Sequence, residues 1–209
     1  MSDFNLSSKI RRERILAVST GGICIATAFV LSWIKIFTMP QGGSVTPASM
    51  LPIFFFALCF GPAWGFGAAF VFSLLQLIGG YFIMPVQILL DYTLAYTALG
   101  VAGFFAAPRE IRIECSSILA RLSMIPVYKM VLSVLLGISL RMLCSLLSGV
   151  YFFAEYAGTE NPWIYSVVYN GAYLLPEAIL TIFILIIVML ATRAYRPRKK
   201  ETVATEDFK

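Results

Sequence analysis

Residues 86–106 read VQILLDYTLAYTALGVAGFFA, an almost entirely apolar run. At about 1.5 Å per residue, an apolar helix of this length crosses the roughly 30 Å hydrocarbon core of a bilayer. The run nevertheless contains one carboxylate, Asp91. Because a charged group near a bilayer centre costs about 2.5 to 3.5 kcal/mol even on lenient scales, we expect Asp91 to face the protein interior.

Similar apolar runs fill most of the chain. Hydrophobic residues make up 59% of the sequence and charged residues 13%, and the mean hydropathy is +0.84. This composition is typical of a polytopic membrane protein. Besides 86–106 we predict spans at 15–34, 127–152 and 164–191, and two short helices within 50–84.

These runs define the predicted architecture. The pair Gly61-Pro62 separates the two helices of residues 50–84, because proline interrupts a helix and glycine permits a tight turn. The first run contains Ala26-Thr27-Ala28, as a cleavable signal peptide would, but its length favours an uncleaved helix. We therefore predict an all-α protein with six transmembrane helices in one compact bundle over residues 15–192, flanked by polar segments 1–14 and 193–209.

The basic residues predict the orientation. They form three clusters that a six-span topology brings to one side: Lys9, Arg11, Arg12 and Arg14; Arg109, Arg112, Arg121 and Lys129; and Arg193, Arg196, Arg198, Lys199 and Lys200. The opposite connections contain Lys35, Glu155 and Glu160. By the positive-inside rule both termini are expected in the cytoplasm. Since the basic residues flank membrane spans, we interpret the net charge of +5 as orientation and expect no nucleic-acid partner.

Several classes of chemistry are disfavoured. The sequence has no histidine, which removes Ser-His and Cys-His nucleophile pairs and the commonest metal ligand. Its four cysteines, Cys24, Cys59, Cys115 and Cys144, are widely spaced, and no phosphate-binding G-x-x-x-x-G-K-[ST] motif occurs. We therefore expect no catalytic residues, metal site or cofactor, and any ATP-driven step would need another subunit.

Counting from the helix ends places the intramembrane polar residues in depth. Asp91, Ser145 and Asn170 lie roughly 8 to 10 Å below the outer boundary at about 1.5 Å per residue. Arg141 and Glu177 lie deeper, at roughly 16 to 20 Å, and match each other. We predict that Arg141 and Glu177 form a structural ion pair, which leaves Asp91 without a basic partner at its own level.

Polar side chains also form stripes on three helices. Gln87 and Asp91 lie one turn apart on the fourth span, whereas two longer stripes are Arg141, Ser145 and Ser148 on the fifth, and Ser166, Asn170, Tyr173 and Glu177 on the sixth. We expect them to face a common outer chamber surrounded by aromatic residues, namely Tyr81, Tyr92, Phe153, Trp163, Tyr165 and Tyr169. Aromatic rings beside a carboxylate are typical of a site for a flat organic cation.

Several of these residues have a second interpretation. Tyrosine and tryptophan at helix ends often form an interfacial belt, which applies especially to Tyr81 and Trp163. Small polar residues such as Ser148 and Ser166 often serve helix packing. The segment 39–47, MPQGGSVTP, has the glycines and polar atoms of a mobile loop that could cover the site.

Four blocks of the sequence together carry a resemblance. In order, they are MPQGGSVTPASMLP at 39–52, PVQILLDY at 85–92, SGVYFF at 148–153 and WIYSVVYN at 163–170. They are similar to the thiamin-specific substrate-binding component of energy-coupling factor (ECF) transporters. The resemblance covers all six predicted helices.

This resemblance implies a function. Members bind thiamin with high affinity from outside and deliver it by associating with a transmembrane coupling subunit and two cytoplasmic ATPases. The family's binding positions correspond to Asp91, Tyr92, Tyr165 and Asn170, with Tyr81 as a further pocket aromatic. Its first helix carries small-x-x-x-small pairs toward the coupling subunit, and Ala17/Gly21 and Gly22/Ala26 have that spacing.

The sequence departs from the family at two positions. Ser145 stands where the family commonly has histidine, and Phe153 stands where a member uses tryptophan for stacking. Serine cannot become cationic and phenylalanine is a weaker cation-π partner, so a thiamin-related ligand is an alternative to thiamin. A self-sufficient small secondary transporter or channel for an organic cation would also be consistent with these residues, and an intramembrane enzyme has less support.

Overall fold

The computed structural model describes residues 2–115 and 117–195 of the chain. Six apolar helices, numbered first to sixth below, account for most of it: Ser2–Trp33, Leu51–Phe60, Pro62–Leu75, Pro85–Phe105, Val127–Phe152 and Pro162–Tyr195. Two short helices, Arg109–Glu114 and Ile118–Ser123, lie between the fourth and the fifth, and a 3₁₀ turn, Ala154–Ala157, precedes the sixth. The prediction of a mostly helical protein is confirmed.

Four of these helices are long and apolar enough to cross a bilayer: the first, fourth, fifth and sixth. The second has 10 residues and the third 14, so at about 1.5 Å per residue neither alone spans the hydrocarbon core. They join at Gly61, as predicted, whose φ of +87° is a conformation that favours glycine. The first helix also begins at Ser2, without a break between residues 14 and 15.

The second helix forms the centre of the core. Almost all of its residues are buried, including Phe54, Phe56 and Phe60, because it packs against the first, third and fourth helices. The fifth helix packs against both the fourth and the sixth. This arrangement brings the predicted polar stripes of the last three apolar helices close together.

The fourth helix changes its winding along its length. An α-helical turn, Pro85–Ile88, is followed by a π-helical segment, Leu89–Leu94, then by Ala95–Thr97 and a 3₁₀ segment, Ala98–Phe105. The π-helical segment contains Asp91 and Tyr92. Such π-bulges are rare and often occur at functional sites.

A small hairpin joins the first and second helices. Its antiparallel strands, Phe37–Thr38 and Ser44–Val45, pair in the register Phe37 with Val45 and Thr38 with Ser44. The predicted mobile loop at 39–47 therefore contains the hairpin turn and its second strand. The Met39 N–H closes the turn by donating to the Gly43 carbonyl at 2.7 Å.

The end of the bundle opposite the hairpin contains Arg112, Arg121 and Arg193 and is called the basic end. There Glu13 of the first helix lies 3.7 Å from both Arg112 and Arg121, and all three side chains are buried. Arg193 donates to the carbonyls of Ser123 and Ile125. Three basic segments thus meet at one end, whereas Arg196, Arg198, Lys199 and Lys200 lie outside the described residues.

Candidate functional site

A cavity of about 110 Å³ lies beneath the hairpin. We call this end of the bundle the cavity end. The fourth, fifth and sixth helices supply much of its wall, as the polar stripes predict. Eight of the ten predicted site residues line it: Asp91, Tyr92, Arg141, Ser145, Phe153, Tyr165, Asn170 and Glu177. The structure therefore brings together residues that are up to 86 positions apart in sequence.

Asp91 lies in the cavity wall and has no ion-pair partner among the described residues. Its Oδ2 atom accepts hydrogen bonds from Gln87 Nε2 at 2.8 Å and from Ser148 Oγ at 2.7 Å. The carboxylate is partly buried, so it keeps contact with the cavity. A ligand cation would complete its electrostatic environment.

Arg141 and Glu177 lie in the same wall and face each other, with Nη1 and Oε2 3.8 Å apart. The Arg141 Nη2 also donates to the Tyr96 hydroxyl at 2.9 Å, and the guanidinium lies 4.0 Å from the centre of that ring. Glu177 accepts hydrogen bonds from Thr46 and Ser49, which follow the hairpin. The pair therefore ties the fourth, fifth and sixth helices to the segment below the hairpin.

Asn170 and Ser145 contribute polar atoms that are already hydrogen-bonded. Asn170 Nδ2 donates to the Ser166 carbonyl at 2.9 Å and to the Ser145 carbonyl at 3.4 Å. Its Oδ1 accepts from Tyr173 Oη at 2.7 Å, and the same hydroxyl is hydrogen-bonded to Ser145. These bonds fix the orientation of the Asn170 amide between the fifth and sixth helices.

Aromatic rings line part of the cavity. Tyr165 stacks on Tyr169 with ring centres 6.0 Å apart, and Tyr92 and Phe153 also contribute to the wall. Tyr81 and Trp163 do not line it and are 41% and 49% exposed. This placement favours the interfacial interpretation for Trp163, whereas Tyr81 lies behind Phe153 at a ring distance of 6.2 Å.

The hairpin turn covers the cavity. The Gly43 N–H donates to Tyr169 Oη at 3.1 Å, and Tyr165 Oη lies 3.5 Å from Gln41 Oε1. A side chain at Gly43 would meet Tyr169 and Tyr173, because an added Cβ would lie 2.9 to 3.0 Å from their atoms. Glycine at this position permits the close approach of the loop to the sixth helix.

The sequence interpretation missed several cavity residues. Tyr96 lies one turn after Tyr92 on the fourth helix, so the same periodicity could have identified it. Ser32 and Gln76, which are hydrogen-bonded at 2.9 Å, close the wall between the first and third helices. Gln76 is a polar residue within the apolar run 50–84, and this polarity is the sequence signal that could have identified it as a cavity residue.

The described residues contain no group of histidine, cysteine, aspartate or glutamate side chains suited to a metal ion. What the cavity offers instead is one carboxylate without a cation, several aromatic rings and a buried ion pair. Such an arrangement binds a small organic cation by charge and stacking.

Comparisons with known proteins agree with these observations. A sequence model described as thiamine transporter protein matches residues 18–196. Two relatives are named thiamine transporter ThiT. The Bacillus subtilis (strain 168) protein is 34% identical over 201 residues, covering 93% of this chain and 99% of the relative. The Lacticaseibacillus paracasei protein is 26% identical over 181 residues, covering 83% and 87%.

A solved structure of ThiT from Listeria monocytogenes has the same fold. It superposes with a TM-score of 0.71 at 24% sequence identity, covering 87% of this chain and 97% of that chain.

With its long apolar helices, the chain is a multi-pass protein of the cell membrane. The prediction that it is not an enzyme is confirmed by the nature of the matched family. Matched over most of its length, the chain belongs to the thiamine transporter protein family.

Proposed function

We propose that this protein binds thiamin in the cavity and serves as the substrate-binding component of an ATP-driven ECF importer. The observation that carries the proposal is the position of Asp91, a carboxylate that lines the cavity without an ion-pair partner among the described residues. Thiamin supplies the missing charge through its thiazolium ring. The names of the two relatives point to the same ligand.

In this proposal the site residues have separate roles. Asp91 attracts the thiazolium charge, and Tyr92, Tyr165 and Phe153 provide aromatic faces for the two flat rings. Asn170 and Ser145 provide polar contacts, and the ion pair of Arg141 and Glu177 stabilises the cavity beneath them. Tyr81 acts through Phe153 rather than by touching the ligand, and Trp163 lies at the membrane interface.

The proposed topology has six transmembrane segments and cytoplasmic termini. Support comes from the basic end, where basic residues of the first helix, of the connection 109–125 and of the sixth helix meet. The second and third helices, 10 and 14 residues long, are then the second and third segments, and they run to the basic end and back, turning at Gly61 beside Arg112. Ligand enters at the cavity end, from the outside. The polar segments 1–14 and 193–209 lie in the cytoplasm.

Release into the cell requires partner subunits in this proposal. The sequence contains no phosphate-binding loop, so ATP hydrolysis belongs to two ATPases, and a transmembrane coupling subunit connects them to this chain. Gly22 and Ala26 lie on the face of the first helix that points away from the bundle, and both are exposed. Ala17 and Gly21 are buried, and Gly21 packs against Phe56, so that pair belongs to the core instead.

A binding measurement tests the ligand. Thiamin is titrated into the protein in mild detergent while tyrosine and tryptophan fluorescence is recorded, with Asp91→Asn beside the wild type. Losing a buried, hydrogen-bonded charge partner costs about 2 to 5 kcal/mol, so affinity should fall at least about thirtyfold. Equal affinities would remove the carboxylate from the mechanism.

A transport measurement tests the partner requirement. Liposomes that contain only this protein should bind thiamin without accumulating it. ATP-dependent accumulation should appear when the coupling subunit and the two ATPases are added. Accumulation by this chain alone, driven by an ion gradient, would instead identify a self-sufficient secondary transporter.

A further inference from the structure

The two oxygens of the Asp91 carboxylate have different environments. Oδ2 accepts two hydrogen bonds, from Gln87 at 2.8 Å and from Ser148 at 2.7 Å. Within residues 2–115 and 117–195, no side chain or backbone group donates a hydrogen bond to Oδ1. This atom keeps accessible surface, and Asp91 lines the cavity. One oxygen is therefore occupied by the protein and the other is available.

Gln87 holds its position through its own hydrogen bonds. Its Oε1 accepts from the Ile83 N–H at 3.2 Å, and its Nε2 donates to the Tyr81 carbonyl at 3.2 Å as well as to Asp91. The side chain is 2% exposed. Because Oε1 faces an N–H and Nε2 faces two oxygens, only one orientation of the amide satisfies all three contacts.

Ser148 reaches Asp91 from the neighbouring helix. It lies on the fifth helix, is fully buried, and is not part of the cavity wall. It therefore cannot touch a ligand in the cavity. Its hydroxyl connects the fourth and fifth helices at the carboxylate.

Packing alone does not hold Asp91 in place. The π-helical segment around it, Leu89–Leu94, contains no fully buried residue. A carboxylate on such a segment could rotate about its own side-chain torsions. The two hydrogen bonds to Oδ2 remove this freedom, and they come from two elements, one from within the fourth helix and one from the fifth.

We propose that Gln87 and Ser148 are positioning residues that saturate Oδ2 and make Asp91 a one-oxygen acceptor for the ligand. This rests on the proposed function, in which Asp91 faces the thiazolium. That ring carries its charge on a nitrogen without a hydrogen, so one oxygen suffices. A flat amidinium presents two parallel N–H donors and pairs best with both carboxylate oxygens, so this site disfavours it.

The inference predicts a change in selectivity rather than a general loss. Three probes are titrated by fluorescence: thiamin, its neutral analogue with thiophene in place of thiazolium, and benzamidinium. In Ser148→Ala and in Gln87→Leu, the preference for thiamin over the thiophene analogue should fall about tenfold, or about 1.4 kcal/mol, because the carboxylate loses one of the two hydrogen bonds that hold it toward the ligand. Benzamidinium should bind more tightly than in the wild type, since Oδ2 becomes available.

Ser133→Ala is the matched control. Ser133 is a fully buried serine of the same helix, and the one hydrogen bond of its hydroxyl within the described part of the chain is to the Met130 carbonyl, at 2.7 Å. This variant should leave all three affinities and their ratios unchanged. Thermal unfolding of each variant reports whether the protein is folded, and the two positioning variants test the proposal independently.

The outcomes separate this inference from the proposed function. If the wild type does not bind thiamin, the proposed function fails. If it binds, and Asp91→Asn abolishes the preference for thiamin over the thiophene analogue while Ser148→Ala and Gln87→Leu keep the wild-type ratios, only the positioning inference is overturned. An equal loss of affinity for all three probes would also overturn it, because a merely structural role predicts that result.

Discussion

Each end of the bundle has a cluster of three charged side chains, all buried except the half-buried Asp91, and the two ends use them differently. At the cavity end these are Asp91, Arg141 and Glu177, which we call the cavity cluster. At the basic end they are Glu13, Arg112 and Arg121, which we call the basic-end cluster. Both clusters contain residues that are among the rarest in protein interiors. Burial of charge by itself therefore does not distinguish a binding site.

The basic-end cluster contacts backbone carbonyls and an aromatic ring, and among the described residues Glu13 Oε1, Arg112 Nε and Arg121 Nη1 are buried without a hydrogen bond. Arg112 donates to the Phe60 carbonyl at the end of the second helix, and Arg121 donates to the Cys115 carbonyl at 3.2 Å. Arg121 also lies over the Phe60 ring, 5.0 Å from its centre. Burial lowers the pKa of the Arg112 guanidinium, and the nearby Glu13 counteracts this shift. The cluster joins the first helix, the second helix and the connection 109–123.

The cavity cluster is open by comparison. Arg141 and Glu177 pair with each other, but Asp91 keeps one oxygen without a hydrogen bond from the described residues. The comparison shows that the informative feature is an acceptor left available beside a cavity. The four predictions below test this contrast, from the largest expected effect to the smallest.

Glu13→Gln should have the largest effect on stability. It leaves Arg112 and Arg121 buried without a counterion, and breaking a buried pair typically costs about 3 to 5 kcal/mol. We expect the free energy of unfolding in mild detergent to fall by about this amount. Thiamin affinity of the folded protein should stay unchanged, since the cavity lies at the other end. A loss of affinity without a loss of stability would contradict the division between the two clusters.

Arg141→Met should destabilise the protein by about 3 kcal/mol, because it leaves Glu177 buried without its cation. Combining Arg141→Met with Glu177→Met should cost less than the single change, since no unpaired charge remains. The measurement is thermal unfolding of both variants and of Glu177→Met alone. Additive losses would mean that the two residues, 3.8 Å apart, are not energetically coupled.

Gly43→Ala should weaken thiamin binding about tenfold, or about 1.4 kcal/mol, with little effect on stability. The added methyl group would lie 2.9 Å from Tyr169 Oη and 3.0 Å from the Tyr173 ring, so the hairpin turn must move away from the cavity. Fluorescence titration measures the affinity. Gly67→Ala is the control, because an added Cβ there meets nothing within 4 Å. Equal affinities in the two variants would exclude the turn from ligand binding.

Glu114→Gln should have the smallest effect. Glu114 pairs with Lys9 at 2.7 Å at the basic end, but the two side chains are 62% and 35% exposed. An ion pair in water contributes only about 0 to 1 kcal/mol, so the unfolding free energy should change by less than about 1 kcal/mol. A loss as large as that of Glu13→Gln would show that exposed charges also hold the basic end together.

The sequence predicted the cavity cluster better than the basic-end cluster, for a physical reason. Asp91, Arg141 and Glu177 stand inside apolar runs, where the membrane forces any charge toward the protein interior. Glu13, Arg112 and Arg121 stand in polar segments, where charges are usually solvated. Nothing in their local sequence distinguishes them from exposed neighbours such as Arg11 and Arg12.

The sequence also predicted part of the cavity wall. Periodicity on the fourth, fifth and sixth helices identified eight of the residues that these helices contribute to the wall, because residues one turn apart share a helix face. Ser32 and Gln76 were missed because Ser32 lies on the first helix and Gln76 directly after the third, outside the polar stripes of the last three apolar helices. The hydrogen bond that joins them spans 44 positions of sequence.

The sequence by itself determined the membrane class, the helical segments and the small set of charged residues that must face inward. These follow from the cost of placing backbone and charge in hydrocarbon, which depends on local composition. Only the tertiary structure decided which oxygen of Asp91 is occupied, that a hairpin closes the cavity, and that Glu13 lies between two arginines. Those features depend on contacts between residues far apart in the chain, whose geometry no local pattern specifies.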